Sequence, residues 1–120
     1  RPAQDEMFQV APSFYNNPRL LASLLYETLE LTGPEYIQPI IEEGIADGSI
    51  VAAHPKQLAE LISLVANVWI NPMIFDSSVE ETYHKLLVFD QMLKGMGLDV
   101  VDGEMIARMQ ELTAIYQKRK

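Results

Sequence analysis

The sequence has no cysteine, and that absence removes a large block of chemistry. Disulfides, thiolate catalysis, Cys-ligated zinc and iron–sulfur clusters are all excluded. A chain without disulfides suits a reducing compartment, so a cytoplasmic location is expected. Basic residues are scarce: nine Lys+Arg stand against 17 Asp+Glu, a net charge of −8. Such a chain does not hold nucleic acid or an anionic membrane by its own electrostatics. Long apolar runs are missing too. The most apolar region, Leu58–Phe75, is broken by Glu60, Ser63, Asn67 and Asn71, so no membrane span is expected. The stretch from Arg1 to Asn17 lacks the unbroken apolar segment of a signal peptide. The chain opens on Arg rather than Met, which reads as the start of a fragment.

What is present is apolar and helical. The 120 residues are the size of one domain, and 48% of them are hydrophobic, a full share for a globular core. Proline stands at helix starts and glycine at helix ends. Asn17 before Pro18 reads as an N-cap followed by an N1 proline. Leu20, Leu21, Leu24, Leu25 and Leu29 then form an apolar stripe to about Leu31, where Thr32-Gly33-Pro34 is expected to stop that helix. A second face, Tyr36, Ile37, Ile40, Ile41 and Ile45, runs to Asp47-Gly48, a left-handed C-cap. The third helix is expected over Pro55–Ile74. Its polar residues Lys56, Glu60, Ser63, Asn67 and Asn71 recur at steps of four and three and line one narrow stripe. A helix apolar around most of its circumference is covered on more than one side. The fourth opens on a capping box, Ser78-x-x-Glu81, and carries a seam of Val79, Tyr83, Leu86 and Leu93, with Asp90 set into it. The fifth spans about Asp102–Gln117 on Met105, Met109, Leu112 and Tyr116. No alternating strand pattern of useful length occurs. The expected architecture is all-α, a bundle of about five helices forming one domain over residues 1–120.

Catalytic patterns are sparse. The two histidines are His54, in a loop before Pro55, and His84. Glu81-x-x-His84 has the spacing of a di-iron bundle ligand pair, but such a site needs a second pair and two further Glu. Glu80, Glu81, His84 and Lys85 read instead as a solvated face. Gly-rich phosphate loops, nucleophile elbows and H-E-x-x-H are absent. Neither an enzyme nor a resident metal or cofactor is expected.

The polar residues in apolar surroundings are the candidates for binding. Asn67 and Asn71, one turn apart, suit a solvated edge, an interhelical hydrogen bond or the wall of a ligand cavity. Trp69, Met73, Phe89 and Met92 are candidate pocket walls or plain core. Asp90 is expected at the rim of its seam or paired with Lys94; the functional alternatives are that it sets register in a helix–helix interface or receives a cationic ligand group. Leu61, Val65, Val68, Tyr83, Leu86, Asp90 and Leu93 are the candidate dimer-interface residues.

The run Ile40-Ile41-Glu42-Glu43-Gly44-Ile45-Ala46-Asp47-Gly48-Ser49-Ile50, followed by a short loop, Pro55 and a double-faced helix, resembles TetR-family regulators. The likeness extends over roughly Asn17 to Gly97 and is sharpest at Glu43–Ile50. It implies the C-terminal ligand-binding and dimerisation domain of a transcriptional regulator. The family's N-terminal helix-turn-helix is absent from these residues, so DNA would be reached only through that other part. The resemblance further implies a homodimer built on Leu58–Ile74 and Val79–Met96, and a small, largely apolar effector within the bundle. The alternative expectation is a helical protein–protein interaction module without a small-molecule pocket.

Overall fold

Leu20 N–H donates to Asn17 Oδ1 at 3.4 Å, and Pro18 occupies the first turn, where its missing N–H leaves no bond unmade. From this cap the chain enters the bundle of the computed structural model, which describes residues 16–118 together with Asp5 and Phe14. The helices are α1 (Pro18–Glu27), α2 (Gln38–Asp47), α3 (Pro55–Leu64), α4 (Val79–Lys94) and α5 (Gly103–Lys118). Stretches of π-helix, Thr28–Ile37 and Val65–Trp69, extend α1 into α2 and α3 toward its end. No strand occurs among the described residues. The all-α bundle expected from the sequence is the fold observed.

Two helix boundaries differ from the sequence reading. Thr32-Gly33-Pro34 does not stop the first helix; the chain stays helical from Pro18 to Asp47. Pro34 lacks an N–H and its ring presses on the carbonyl four residues back. A wider turn relieves both problems, and Gln38 N–H duly bonds Gly33 O, five residues away. Gly33 serves packing rather than termination. A Cβ there would lie 3.3 Å from Thr28 O, 3.7 Å from Ser63 Oγ and 3.8 Å from Ala59 O. Thr28, Gly33, Ala59 and Ser63 are all buried, so small side chains let the π stretch lie close on α3.

The third helix ends at Trp69, not Ile74. Asn71 is the cause. Its Nδ2 donates to Asn67 O at 2.9 Å, and its Oδ1 accepts from Met73 N–H at 2.9 Å. These bonds replace helical ones, and Pro72 both lacks a donor and steers Asn71 out of the helical region.

The principal core joins Ile41, Ile50, Leu58, Ala59, Ile70, Leu86, Phe89, Leu93, Leu98 and Val101. A smaller cluster forms around Leu112 and Tyr116. Each fully buried aliphatic side chain contributes roughly 1.5–3 kcal/mol. α4 starts on the capping box read from the sequence, with Glu81 N–H on Ser78 Oγ at 3.1 Å and Ser78 N–H on Glu81 Oε1 at 3.4 Å. Its buried stripe is Thr82, Leu86, Phe89 and Leu93; Leu86 and Leu93 are the residues expected in the seam, while Thr82 and Phe89 take the inward places expected for Tyr83 and Asp90. α5 packs on α4 through a hydroxyl pair, Thr82 and Thr113 at 3.1 Å. Thr113 spends its single hydrogen on Met109 O at 2.7 Å, so Thr82 is the donor between the two. Gln117 Nε2 ties the far end, donating to Ser77 O at 2.6 Å and Asp76 Oδ1 at 3.0 Å.

The α2–α3 connection is pinned rather than loose. Gly48 closes α2 at φ 87°, Ile50 N–H bonds Gly44 O at 3.0 Å, and Val51 N–H bonds Met96 O at 3.1 Å. Asp47 Oδ1 accepts from Ser49 N–H at 2.8 Å. Hydrogen bonding to Ser49 holds the Asp47 carboxyl below its usual pKa.

Candidate functional site

α5 lies along α4 and stands away from the long α1–α2 helix, which leaves a cleft between them. Two cavities occupy it. The first, about 260 Å³, is walled by Ile37, Ile40 and Ile41, Ile62 and Ala66, Phe89 and Leu93, the loop residues Leu98, Val100 and Val101, and Met105. Every described residue lining it is apolar. The second, about 340 Å³, is lined by Leu24, Ala66, Asn67, Asn71, Pro72, Met73, Met109 and Leu112. Ala66 belongs to both, and Met105 and Met109 are successive turns of one α5 face. Ala66, a small exposed residue of the second π stretch, is thus common to the walls of both cavities.

Helical chemistry explains why the cleft stays open at this point. Each π stretch shifts the residues after it around the helix axis, and such irregular turns recur at functional sites. The two π stretches meet here, bridged by Asn67 Nδ2 donating to Thr28 Oγ1 at 3.4 Å. Asn67 is thus both an interhelical link and a cavity wall. Asn71 lines the same cavity with both side-chain groups committed to backbone partners. Met73 joins them, and Phe89 lines the apolar cavity. Trp69 and Met92 line neither, and both are exposed. Their expected pocket role is corrected accordingly. The cause is the pitch of α4, which turns Phe89 inward and Met92, three residues on, toward its flank.

The proposed interface residues separate in the same way. Leu86 is 2% exposed and Leu93 3%; both belong to the core of the single chain and are unavailable to a partner. Tyr83, 38% exposed, and Leu61, 43% exposed, lie at the surface, while Val65 and Val68 are half-buried. The most exposed large apolar residue of α4 is Val88, at 48%, which was not among the candidate interface residues. α3 and α4 run antiparallel as neighbours: Leu61 and Met96 line one depression, and Lys85 Nζ donates to Trp69 O at 2.7 Å. Lys85, Val88, Met92 and Met96, at steps of three and four, form one stripe on α4 and its end, and Leu61, Val65 and Val68 form another on α3 and its π stretch. Lys85 is the one charged residue on these two stripes.

Lys85 is itself unusual. Its Nζ also donates to Ser77 Oγ at 3.1 Å and stands 5.3 Å from the ring centres of both Trp69 and Phe75. Desolvation lowers its pKa from the ordinary lysine value, against the opposing field of Glu81. Asp90 pairs through Oδ2 with Lys94 at 3.0 Å, one of the roles read for it, while its Oδ1 is buried without a partner among the described residues. Glu81 is occupied in the capping box, and His84 lies 3.9 Å from Glu80 instead. Compared with protein-family models, curated proteins and solved structures, the chain shows no match.

Proposed function

We propose that these residues form the effector-binding and dimerisation domain of a TetR-type transcriptional regulator, a repressor released by a small, largely apolar ligand. The observation that carries the reading is the cleft. An apolar cavity with a few convergent polar groups, bounded by separate helices, is the usual form of a small-molecule site. Its walls come from both α1–α2 and α5, so a ligand bridging them biases their spacing. In a two-state regulator that bias is a population shift, set by the ligand's differential affinity for the two spacings. DNA would be engaged by a helix-turn-helix outside these residues, which agrees with a net charge of −8 here.

The exposed or half-buried apolar stripes Leu61, Val65 and Val68 on one segment and Val88 and Met92 on α4 support a homodimer. Two acidic chains approach best where neither presents carboxylates, and a two-fold interface uses the same patch on both partners. The same strip favours the second reading, a module that binds a different protein. Light scattering at micromolar concentration separates the two. A mass twice 13.6 kDa is expected for the isolated domain. A clean monomer would sink the homodimer and leave the hetero-partner reading.

A further inference from the structure

From the first of the two cavities we infer the chemical class of the effector: a compact, hydrocarbon-like molecule that carries no hydrogen-bonding group. This rests on the effector-binding reading above, names the cavity that serves it and narrows its ligand.

The wall decides the class. Around this space of about 260 Å³ the described residues expose no nitrogen or oxygen, from side chain or backbone. Most of them are helical, so their amides are spent along the helix axes. In the closing loop Leu98 N–H is likewise spent on Leu93 O at 2.9 Å. A water held in a cavity needs about two to four polar partners, and this wall offers none. A hydroxyl, amide or ring nitrogen brought in would leave its own water behind and gain no bond in return. Hydrocarbon loses nothing on entering, and its transfer from water is favourable in proportion to the area covered. The second cavity is a different environment. Asn67 and Asn71 line it, and each keeps an amide N–H that no described residue engages, so it suits water or a polar guest.

Access and size agree with the wall. At the inner end Ile41 is 1% exposed and Leu93 3%. Three other wall residues, each from a separate segment, are open to solvent: Ile40 of α2 at 62%, Val100 of the loop at 52% and Met105 of α5 at 41%. A guest can therefore enter between them, and apolar side chains grouped at a surface in this way mark a binding site. A cavity of about 150 Å³ holds one benzene ring, so this one has room for two fused rings.

The test uses two probes of one shape, naphthalene and 1,5-naphthyridine, with the full 120-residue chain at neutral pH. The naphthyridine carries a nitrogen on each ring, so one nitrogen is buried whichever end enters. Binding is followed by methyl-resolved NMR, in which the ring currents of either probe mark the side chains beside it. Naphthalene is expected to shift the methyls of Ile40, Ile62, Val101 and Met105 and to leave those of Leu24 and Met73 in place. The naphthyridine should bind at least about tenfold more weakly. Met105→Gln, a change of similar size at an exposed wall position, adds a donor and should narrow that gap at least about threefold. A general loss of stability weakens both probes alike and leaves the gap unchanged. If the naphthyridine binds as well as naphthalene or better, if the gap survives Met105→Gln, or if the shifts fall on Leu24 and Met73 instead, the ligand class is wrong while an effector site stands. If neither probe shifts any methyl, the effector site falls and the inference with it.

Discussion

Gly44 is the position where a single methyl group has the most to say. A Cβ built there would stand 2.6 Å from Ile50 Cγ1, closer still to its Cδ1, and 3.2 Å from Ser49 Oγ. Ile50 cannot step back, because its N–H is bonded to the Gly44 carbonyl at 3.0 Å and its side chain is in the core. Cγ1 is also not a flexible tip; relieving it takes a new χ1 or a backbone shift. Overpacking of this kind costs roughly 1–3 kcal/mol, and the blocked retreat argues for the upper half. Replacing Gly by Ala inside a helix returns about 1 kcal/mol. Gly44→Ala is therefore expected to lose about 1–2 kcal/mol net, read as the midpoint shift in urea denaturation followed by far-UV circular dichroism. Ile50→Val removes Cδ1 and alone costs about 0.5–1.5 kcal/mol. Combined with Gly44→Ala it relieves part of the clash, so the double variant should lose less than the sum of the singles. If Gly44→Ala gains stability by the ordinary helix propensity, or the two changes add without coupling, the Gly44–Ile50 contact is refuted.

Other consequences are equally direct. Leu86→Ala should cost about 2–5 kcal/mol by emptying a core site, whereas Val88→Glu should keep the native helix content and give a monomer in light scattering where the proposed interface makes the native chain a dimer. A dimer that survives Val88→Glu moves the interface elsewhere. Thr113→Val strands the buried Thr82 donor and should cost about 1–3 kcal/mol, while Thr82→Val removes only one bond and should cost about 0.5–1.5 kcal/mol; equal losses in thermal melts would contradict the assigned donor direction. Lys85 should titrate below the exposed lysines in an NMR pH series, and return toward them in Trp69→Ala. The folded chain holds this proton less tightly than the unfolded one, so stability rises with pH from the folded value up to the ordinary lysine value. A Lys85 that titrates with the rest would show that Trp69 and Phe75 do not dehydrate it.

Periodicity made most of the helices legible. Asn17-Pro18, Asp47-Gly48 and Ser78-x-x-Glu81 marked ends by local chemistry that acts within one turn, and those ends stand. Gly33-Pro34 looked like the same kind of signal, but its effect depended on α3. The close fit of Gly33 against Ala59 and Ser63 kept the chain helical through a proline, and no local pattern carries that information. Leu86 and Leu93 were legible in the α4 seam, but Thr82 was not, because it is polar in sequence and buried in fact, its hydroxyl answered by Thr113, 31 residues away. Asn67, Asn71, Met73 and Phe89 were found by asking which residues interrupt or thicken an apolar face. Ala66 was invisible by the same question, since what places it in the cleft is what stands opposite it.

The π stretch at Thr28–Ile37 also has a meaning in terms of chain length. An α-helix advances 100° per residue, and a bond reaching back five residues instead of four fits one extra residue into the turn. Leu24 before the stretch and Ile40 after it face the same cleft with that extra residue in place. The long helix thus carries an insertion already absorbed, with the flanking faces kept in register. Shortening it by one at an exposed position such as Glu30 would let the segment relax to α while both walls stay where they are. Shortening α4, which has no such slack, would rotate Leu86, Phe89 and Leu93 off the core together. Relatives of this chain should accordingly vary in length within Thr28–Ile37 and hold it constant across Val79–Lys94.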